Sequence, residues 1–497
     1  MLLTTLIPLA PARAQSALTI GTTESLATLD PADAGDVFTW EVLTHLYTGL
    51  TRQKPDTLEY ELALASDHSV SEDGLTHTFT IRADAAFDDG TAITAQTFAD
   101  SINRVLRVNG NGRRIVADYV SAVSADADAN TFTLTLIKPI PYLLALVSLP
   151  PYFPVHPETF AADRVVDAPA TVISNGVYRV ENFDRLHALT LTANPKWQGT
   201  PAKTTTITIQ RFDFPADLRE ALKAGAVDMA WRGLSYDDMD NALKTDGIRL
   251  ESAPGLQSFY LVIDISREYL DDVIARTGIS YLLDRDRAVK VGLLNTGMPL
   301  LSLVPPQIDP AAPIYPTFDP VEAKAIFTTG SYSRYHRIDG QVQYSRLLYG
   351  ELYVDAINAL NSQLRLQEAL GLAMVDTVPD TFNDQITRGQ FRMIIVGWTP
   401  IVAHPAAYLE ALIDSTGLLA AGAHFSNAQI DALMQQAATA APAQQMELYQ
   451  QVQQIALEQA VVIPLWQTDQ RLLVRDDVQG IVIEPNFLLR YDQLERK

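Results

Sequence analysis

Segments in which apolar and polar residues alternate recur along the first half of the chain, and helical spacing of apolar residues appears between them. Alternation predicts strands with one buried face, because successive side chains of a strand point to opposite sides. Apolar residues three or four positions apart instead predict the buried face of a helix. Strands are predicted at 17–20, 75–82, 131–136, 189–192 and 206–209, and helices at 38–50, 94–105 and 218–223. This order of strands and helices indicates an α/β chain with mixed or partly parallel sheets.

A second α/β unit is predicted after residues 253–255, a proline- and glycine-containing stretch that we expect to interrupt regular structure. The apolar run 259–263 is its first predicted strand. A closing strand at 470–474 returns the chain to the first unit. Two crossings, near Pro254 and Pro464, predict two lobes joined by two hinge strands, with a ligand in the cleft between them. Helices of the second unit are predicted at 281–294, 354–364, 406–413, 426–439 and 442–460.

The β-rich apolar run 391–396 is followed by Gly397 and Trp398. We expect a buried strand that breaks at this pair, because glycine frees the backbone and a large aromatic follows it. Open α/β sheets bind ligands at the carboxyl ends of their strands, so Trp398 is a candidate ligand contact. The alternative is that Trp398 is a core residue beside a turn.

The charge balance argues against nucleic acid as a partner. The 497 residues include 37 basic and 59 acidic residues, which gives a net charge of −22, and such a surface repels phosphate groups and anionic membranes. The length predicts two or three domains. The chain contains no cysteine, which excludes disulfides, thiolate catalysis, zinc–thiolate and iron–sulfur sites, and a lipid anchor on cysteine.

An export signal is predicted at residues 1–14. The short apolar run 2–9 is followed by Ala12 and Ala14, the small-x-small arrangement of a signal-peptidase site. A basic segment is missing before the run, so a start farther upstream and a frayed terminal segment are the alternatives. No other segment has the roughly 18 uninterrupted apolar residues that a membrane span needs. We expect a mature chain that is soluble outside the cytoplasm.

A strand, a tight turn and a capped helix follow one another in SEDGLTHTFTIR and FDDGTAITAQTFADSINRVL, with Asp89-Gly90 as the turn and Thr94 as the N-cap. This order resembles the F-x-D-G-x-x-x-T-A signature of the family 5 extracytoplasmic solute-binding proteins of ABC transporters, which include dipeptide and oligopeptide binders. The resemblance spans essentially the whole mature chain. Further elements of the family lie in the same order at 29–31, 175–178, 194–199, 397–398 and 462–466.

The resemblance implies a two-lobed clamshell of the type II periplasmic-binding-protein class, with mixed sheets and an extra subdomain in the first lobe. It also implies that a solute is held in the interlobe cleft and passed to ABC permease subunits in the membrane. The corresponding boundaries are 1–14 for the signal, 15–36, 168–253 and 467–497 for the main subdomain of lobe I, 37–167 for its extra subdomain, and 254–466 for lobe II.

No catalytic or metal-binding pattern accompanies these elements. The chain has no G-x-x-x-x-G-K-[ST], G-x-S-x-G, H-E-x-x-H or G-x-G-x-x-G pattern, and no two of its eight histidines are four residues apart. We therefore expect no catalytic residue, no metal, no cofactor and no enzymatic activity. Asp88 and Asp89 are adjacent turn residues that we expect to be structural. For His404 a ligand or pH-sensitive contact is one interpretation, and a solvent-facing loop position is the one we favour.

The candidate ligand contacts lie where the predicted lobes face each other. Aromatic side chains suit a closing cleft because they bury a large area with few rotatable bonds, and a buried amide or carboxylate fixes the orientation of a ligand. For Phe38, Trp40 and Trp466, core packing is the alternative. The candidates are Trp398, Thr399 and Ile401 in lobe II, Trp466 in the returning hinge region, and Asp36, Phe38, Trp40 and Asn175 in lobe I.

Ile401 departs from the pattern of the family's peptide binders. The resemblance implies an aspartate three residues after the tryptophan, where it pairs with the amino terminus of a bound peptide, and Ile401 occupies that position here. A neutral side chain cannot offset the cost of desolvating an ammonium group. We therefore expect a ligand without a free amino terminus, such as a blocked, cyclic or acidic peptide, a sugar or another polar solute, unless an acid such as Asp36 takes over.

The leading hypothesis is a periplasmic, monomeric binding protein that captures a peptide-like or other small polar solute between its lobes. It delivers the solute to a permease whose ATPase is on other chains. Closure requires that the ligand contact both lobes, because a ligand held by one lobe favours neither state. Two alternatives stay open: an exported hydrolase that uses the same cleft, and a sensor that presents the closed clamshell to a membrane receptor without transport.

Overall fold

The chain begins with one strand of a large sheet and then builds a smaller, separate sheet. The structure is a computed structural model that describes residues 17–329, 338–364 and 370–497. The first elements are β1 Ala17–Thr22, α1 Val37–Leu46, β2 Thr51–Gln53, β3 Tyr60–Leu62, β4 Ala65–Val70, β5 Thr76–Ile81, α2 Ala95–Arg107, α3 Arg113–Ala117, β6 Val120–Asp126, β7 Thr131–Leu136 and α4 Leu143–Leu146. Four strands form the smaller sheet in the order β4-β5-β7-β6, and β2 and β3 form a separate hairpin. The small-sheet subdomain denotes β2–β7 with helices α2–α4.

Local hydrogen bonds explain where the first two helices begin and end. Helix α2 starts after Thr94, as predicted, because the Thr94 hydroxyl accepts from the amide of Thr97 in a capping box. Helix α1 ends at Leu46, four residues before the predicted end. The Leu46 carbonyl accepts hydrogen bonds from the amides of Asn175 and Gly176 at 3.3 and 2.8 Å. A distant segment therefore occupies the acceptor that a continuing helix would need.

The next segment completes one half of the large sheet. Its elements are β8 Tyr178–Asp184, β9 Ala188–Ala193, β10 Thr206–Arg211, α5 Pro215–Ala224, β11 Met229–Trp231 and α6 Tyr236–Ala242. Strand β1 lies between β10 and β11 and is parallel to both, and β9 and β8 continue the sheet in antiparallel order. Helix α5 ends at Gly225 with φ of 74°, a left-handed conformation that glycine adopts without strain. Lobe I denotes this half of the sheet, its helices and the small-sheet subdomain.

The rest of the chain forms the other half of the large sheet and closes on the first. Its elements are β12 Ile248–Ile263, α7 Val273–Tyr281, α8 Arg285–Arg287, β13 Gly297–Pro299, α9 Pro320–Thr329, β14 Ile338–Tyr344, α10 Arg346–Tyr349, α11 Glu351–Leu364, β15 Leu370–Asp376, α12 Pro379–Arg388, β16 Met393–Trp398, α13 Pro405–Leu412, α14 Leu418–Gly422, α15 Ala428–Ala437, α16 Pro442–Gln459, β17 Val462–Arg475, β18 Val478–Gln479 and β19 Glu495–Arg496. Lobe II denotes β13–β16 and α7–α16.

The prediction of one continuous helix over 281–294 is wrong. Helix α7 ends at Tyr281, the short α8 follows, and a π-helical turn occupies Ala288–Gly292. The break has a local cause, because the carboxylate of Asp284 accepts from the amide of Arg287 and starts a new helix.

Two long antiparallel strands, β12 and β17, hold the two halves of the large sheet together. The order of the sheet is β15-β14-β16-β12-β17-β11-β1-β10-β9-β8, with β13 also paired to β17. One end of the β12–β17 pair lies beside β11 of lobe I, and the other end lies beside β16 of lobe II. The two lobes are therefore connected through these strands, as the two predicted crossings require.

The register between β12 and β17 shifts between Pro254 and Ser258. The prediction that regular structure is interrupted here is wrong, since β12 runs through the shift, and the closing strand starts at Val462 rather than at 470. A proline fits a bulge because the ladder hydrogen bond is already missing there. The carbonyl of Gly255 instead accepts from the side-chain amide of Gln467 at 2.5 Å.

The buried apolar residues form two large clusters. One packs α1 against β1, β8–β10 and the end of β17, and it is the core of the main part of lobe I. The other is continuous from the small sheet and α2 into the strands and helices of lobe II. The small-sheet subdomain therefore packs against lobe II as well as against the rest of lobe I.

Candidate ligand-binding site

Trp398 is the last residue of β16, so the strand runs through the Gly397–Trp398 pair and the predicted break before it is wrong. A Cβ on Gly397 would lie 3.0 to 3.1 Å from the rings of Tyr349 and Phe259, so glycine allows both rings to close on the strand. The indole of Trp398 is partly buried, and its Nε1 donates to the carbonyl of Ala407 at 3.1 Å. This bond holds the ring against the first turn of α13.

Thr399 and Ile401 follow Trp398 at the carboxyl end of β16. Thr399 is exposed, and Ile401 is partly buried against the apolar core of lobe II. Trp398 pairs with Ser258, the first residue of β12 after the register shift. The three candidates of lobe II therefore lie together beside the point where the paired strands pass from one lobe to the other.

Trp466 lies on the opposite face of the sheet from Trp398. Ser258 pairs with Trp398, whereas the next residue of β12, Phe259, pairs with Gly397 and Trp466. Successive residues of a strand point to opposite faces. Trp466 is fully buried and stacks on Phe259 with ring centres 5.2 Å apart. Of the two indoles, only that of Trp398 reaches the surface.

Three lobe I candidates lie in the first turn of α1 or directly before it. Asp36 is exposed and caps the helix, since its carboxylate accepts from the amide and the hydroxyl of Thr39 at 2.8 and 2.6 Å. Trp40 is partly buried, and its Nε1 donates to the carbonyl of Ala34 at 3.0 Å. Phe38 is 4% exposed and packs in the core of lobe I.

Asn175 lies at the other end of α1. Its Oδ1 accepts from the amide of Thr48 at 3.1 Å, and its Nδ2 donates to the carbonyl of Thr48 at 3.0 Å. The side chain is buried and uses both polar atoms on one backbone residue. Among the described residues, no hydrogen bond or ring contact joins these four lobe I candidates to those of lobe II.

The expectation that His404 faces solvent is wrong. The residue is the N-cap of α13, and its ring packs between those of Tyr142 and Tyr449, with centres 5.5 and 5.8 Å away. Its Nδ1 accepts from the amide of Ala406 at 3.2 Å. Because burial disfavours the charged form, the pKa of His404 is lowered to about 4. The imidazole is therefore neutral at physiological pH.

The same region joins the small-sheet subdomain to lobe II. Glu410 of α13 accepts from Lys138 Nζ at 3.2 Å and from the Tyr142 hydroxyl at 3.4 Å. Burial, and after it the nearby carboxylate of Glu410, raises the pKa of Tyr142. This polar contact and the ring of His404 form an interlobe edge contact outside the β12–β17 pair.

Two cavities in lobe I were not anticipated from the sequence. Their volumes are about 420 and 260 Å³, and every residue that lines them comes from 40–200 or 484–493. Asn175 lines the smaller cavity and Trp40 lines the larger one. Sequence patterns give no signal for them, because their walls combine distant segments, from 48 to 199 in the smaller cavity and from 40 to 493 in the larger one.

Within the described ranges, no group of three or more histidine, cysteine, aspartate or glutamate side chains is arranged to hold a metal ion. No helix in the described part of the chain combines the length and the apolar character that a membrane crossing requires. The predicted signal at residues 1–14 lies outside the described residues.

Comparisons with known proteins extend over most of the chain. Residues 59–418 match the family described as "Bacterial extracellular solute-binding proteins, family 5 Middle". The probable D,D-dipeptide-binding periplasmic protein DdpA of Escherichia coli (strain K12) is 26% identical over 487 residues, covering 94% of this chain and 92% of that protein. The glutathione-binding protein GsiB of Salmonella typhimurium is 23% identical over 473 residues, covering 92% of this chain and 90% of that protein.

Solved structures share the fold. HbpA2 from Haemophilus parasuis superposes with a TM-score of 0.86 at 19% identity, covering 97% of this chain and 100% of that one. The unliganded open form of the periplasmic murein tripeptide binding protein MppA superposes with a TM-score of 0.83 at 20% identity, covering 97% of this chain and 98% of that one. Both superpositions cover the two lobes and the small-sheet subdomain together.

Proposed function

Because the chain belongs to the family 5 bacterial extracellular solute-binding proteins, we propose that it captures a small peptide-like solute in the cleft beside Trp398. Family membership, the two-lobed α/β clamshell and the role as solute-binding protein of an ABC transporter are as the sequence analysis predicts. The family and the similar proteins are binding proteins rather than enzymes. The observation that carries the proposal is the position of Trp398 beside the register shift of the strands that connect the lobes.

The proposed binding event is closure of lobe I on lobe II around the solute. Trp398, Thr399 and Ile401 supply the lobe II surface, and Asp36 and Trp40 supply part of the lobe I surface. Phe38, Asn175 and Trp466 support these surfaces from the core, since each is buried. A solute that contacts both lobes binds the closed state more tightly and so shifts the population toward it.

The ligand we propose is peptide-like and lacks a free amino terminus in the position next to Ile401. The partly buried isoleucine offers no charge to an ammonium group. Two similar proteins carry names that state D,D-dipeptide and glutathione binding, which favours a short peptide with an unusual backbone or linkage. The exposed carboxylate of Asp36 is the alternative partner for an amino group in this part of the chain.

The proposal also includes the location of the protein, its oligomeric state and its membrane partner. We propose an exported, periplasmic monomer, with a signal over residues 1–14, that docks on permease subunits in the membrane after closure. The domain boundaries of the sequence analysis belong to this proposal: lobe I from 15–36, 168–253 and 467–497 with the extra subdomain 37–167, and lobe II from 254–466.

Native mass spectrometry of protein purified without denaturation identifies the solute, and calorimetry with that solute tests the site. Trp398→Ala removes the indole together with its hydrogen bond to Ala407, so affinity should fall by about tenfold or more, the effect of truncating a central aromatic contact. Trp197→Ala is the matched control, because this indole is also partly buried but lies in lobe I beside the cavities. Equal affinity of Trp398→Ala and the unaltered protein would remove the basis for the proposed site.

A further inference from the structure

The larger cavity of lobe I lies between the β2–β3 hairpin, the carboxyl-terminal half of α1 and the last residues of the chain. Exposed residues Arg52, Pro55 and Thr200 stand at its mouth. Its volume of about 420 Å³ falls in the range of small-molecule sites. Its apolar wall includes Trp40, Leu149, Pro150, Phe153, Val177 and Trp197.

Glu484 forms a buried polar part of the cavity wall. The residue is 2% exposed, and its Oε2 accepts a hydrogen bond from Gln53 Nε2 at 3.2 Å. Its Oε1 accepts no hydrogen bond from any residue that the structure describes. The guanidinium of Arg490 is 3.6 Å from this oxygen, which is too far for a hydrogen bond. Burial outweighs that cation and the backbone amide of Asp56, which both favour the charged form, and raises the pKa of Glu484 to about 7.

Asn486 presents a second acceptor oxygen in the same wall. Gln53 Nε2 also donates to the carbonyl of Thr57 at 2.6 Å. The two acceptors, Thr57 and Glu484, therefore define which end of the Gln53 amide is the nitrogen. Gln53 Oε1 then accepts from Asn486 Nδ2 at 3.0 Å. This orientation leaves Asn486 Oδ1 buried, with no donor among the described residues. Two buried acceptor oxygens of the segment 484–486 thus lack donors among the described residues.

The cationic side chains that line the cavity are already matched by closer carboxylates. The pairs are Arg52–Glu61 at 2.6 Å, Lys54–Glu59 at 2.7 Å and Arg490–Asp492 at 2.9 Å. Of the three carboxylates that line the cavity, Glu484 has the longest ion pair, 3.6 Å to Arg490, so it is the one that most favours a further positively charged group.

We propose that this cavity is a second ligand site, distinct from the interlobe cleft, that binds the primary ammonium group of a small organic amine. An ammonium has three N–H donors, which suit Oε1 of Glu484 and Oδ1 of Asn486. The indoles of Trp40 and Trp197 cover the apolar body of the amine and attract its charge. A calcium ion is a poor match, because it takes about six to eight oxygen ligands. Of the residues proposed for the cleft, Trp40 also lines this cavity.

Calorimetry on the full chain at pH 8 tests the proposal with 2-phenylethylamine, 2-phenylethanol and 3-phenylpropionate. The amine should bind at least about tenfold more tightly than the alcohol or the carboxylate, because only it pairs with Glu484. Glu484→Gln keeps the shape and an acceptor for Gln53 but removes the charge, so amine affinity should fall about tenfold. The matched control is Glu61→Gln. Glu61 lines the same cavity, but its carboxylate already pairs with Arg52, so the affinity of this variant for the amine should stay within about twofold of that of the unaltered protein.

Two further variants keep the test decisive if Glu484→Gln folds poorly. Thr200→Trp narrows the mouth at an exposed position and should weaken amine binding about fivefold with Glu484 intact. Trp398→Ala should leave amine binding unchanged, since Trp398 does not line the cavity. Loss of amine binding in Trp398→Ala, equal binding by Glu484→Gln, or no binding by the unaltered protein overturns this inference. None of these results depends on whether the cleft captures a peptide-like solute.

Discussion

Asp30, in the segment 29–31 that resembles an element of the family, connects two subdomains in the structure. Its carboxylate is fully buried and accepts from both terminal nitrogens of Arg104 in α2, at 2.8 and 2.6 Å. It also accepts from the amides of Ala32 and Val166, each at 2.9 Å. The residues around Asp30 contain no information about a partner 74 residues away. Buried ion pairs of this kind depend on the tertiary structure and could not be predicted from local sequence.

The lowered pKa of His404 predicts that the stability of the protein depends on pH. Its pKa is about 4 in the folded state against 6.5 for an unperturbed histidine, so the unfolded chain binds the proton more tightly. The stabilisation that comes from keeping His404 neutral in the folded state is fully present above pH 6.5 and is lost as the pH falls toward 4. At pH 5 the loss amounts to about 2 kcal/mol. Urea unfolding of the unaltered protein and of His404→Asn at pH 7 and pH 5 measures it.

His404→Asn keeps a side chain that can cap α13 and removes the titrating group. The variant should lose about 2 kcal/mol less than the unaltered protein between pH 7 and pH 5, whatever its stability at pH 7. Titration of all other groups cancels in this difference. If both proteins lose the same free energy of unfolding, protonation of His404 is not linked to folding.

At the scale of helices and strands, patterning was most reliable where one element alone determines its ends. The periodicity of residues 131–136 predicts β7 to the residue, and Thr94 marks the start of α2. The predicted ends of an element are wrong where a contact with a distant segment sets them. Leu46 ends α1 because the backbone at 175–176 donates to its carbonyl, and the proline of 253–255 lies in a bulge of β12 rather than between strands.

The two hydrogen bonds between the Asn175 side chain and the backbone of Thr48, after α1, predict a contribution to stability that can be measured. Asn175→Ala removes both hydrogen bonds to the buried Thr48 backbone, so the free energy of unfolding should fall by about 2 kcal/mol. The amide of Thr48 should also exchange with solvent faster in a hydrogen-exchange experiment. The control is Asn182→Ala on the exposed side of β8, for which we expect a change below about 0.5 kcal/mol. Equal destabilisation by the two substitutions would mean that the contact with Thr48 contributes nothing specific.

At the scale of the whole molecule, the two lobes follow from the order of the segments. A chain that leaves lobe I through β12 and returns through β17 leaves lobe II connected by one pair of strands. The sequence predicted these two crossings, the family and the clamshell. It did not predict that the small-sheet subdomain packs against lobe II, that Trp466 is buried on the opposite face from Trp398, or that lobe I contains cavities. Those features depend on contacts between segments far apart in the chain, which local periodicity does not encode.

Small-angle X-ray scattering tests most directly whether a solute binds between the lobes and closes them. The same preparation is measured after its solute has been removed and again at saturation with the solute identified by native mass spectrometry. The radius of gyration should decrease on saturation, and Trp398→Ala should need about tenfold more solute for the same decrease. An unchanged radius of gyration at saturation would contradict closure of the lobes on a bound solute.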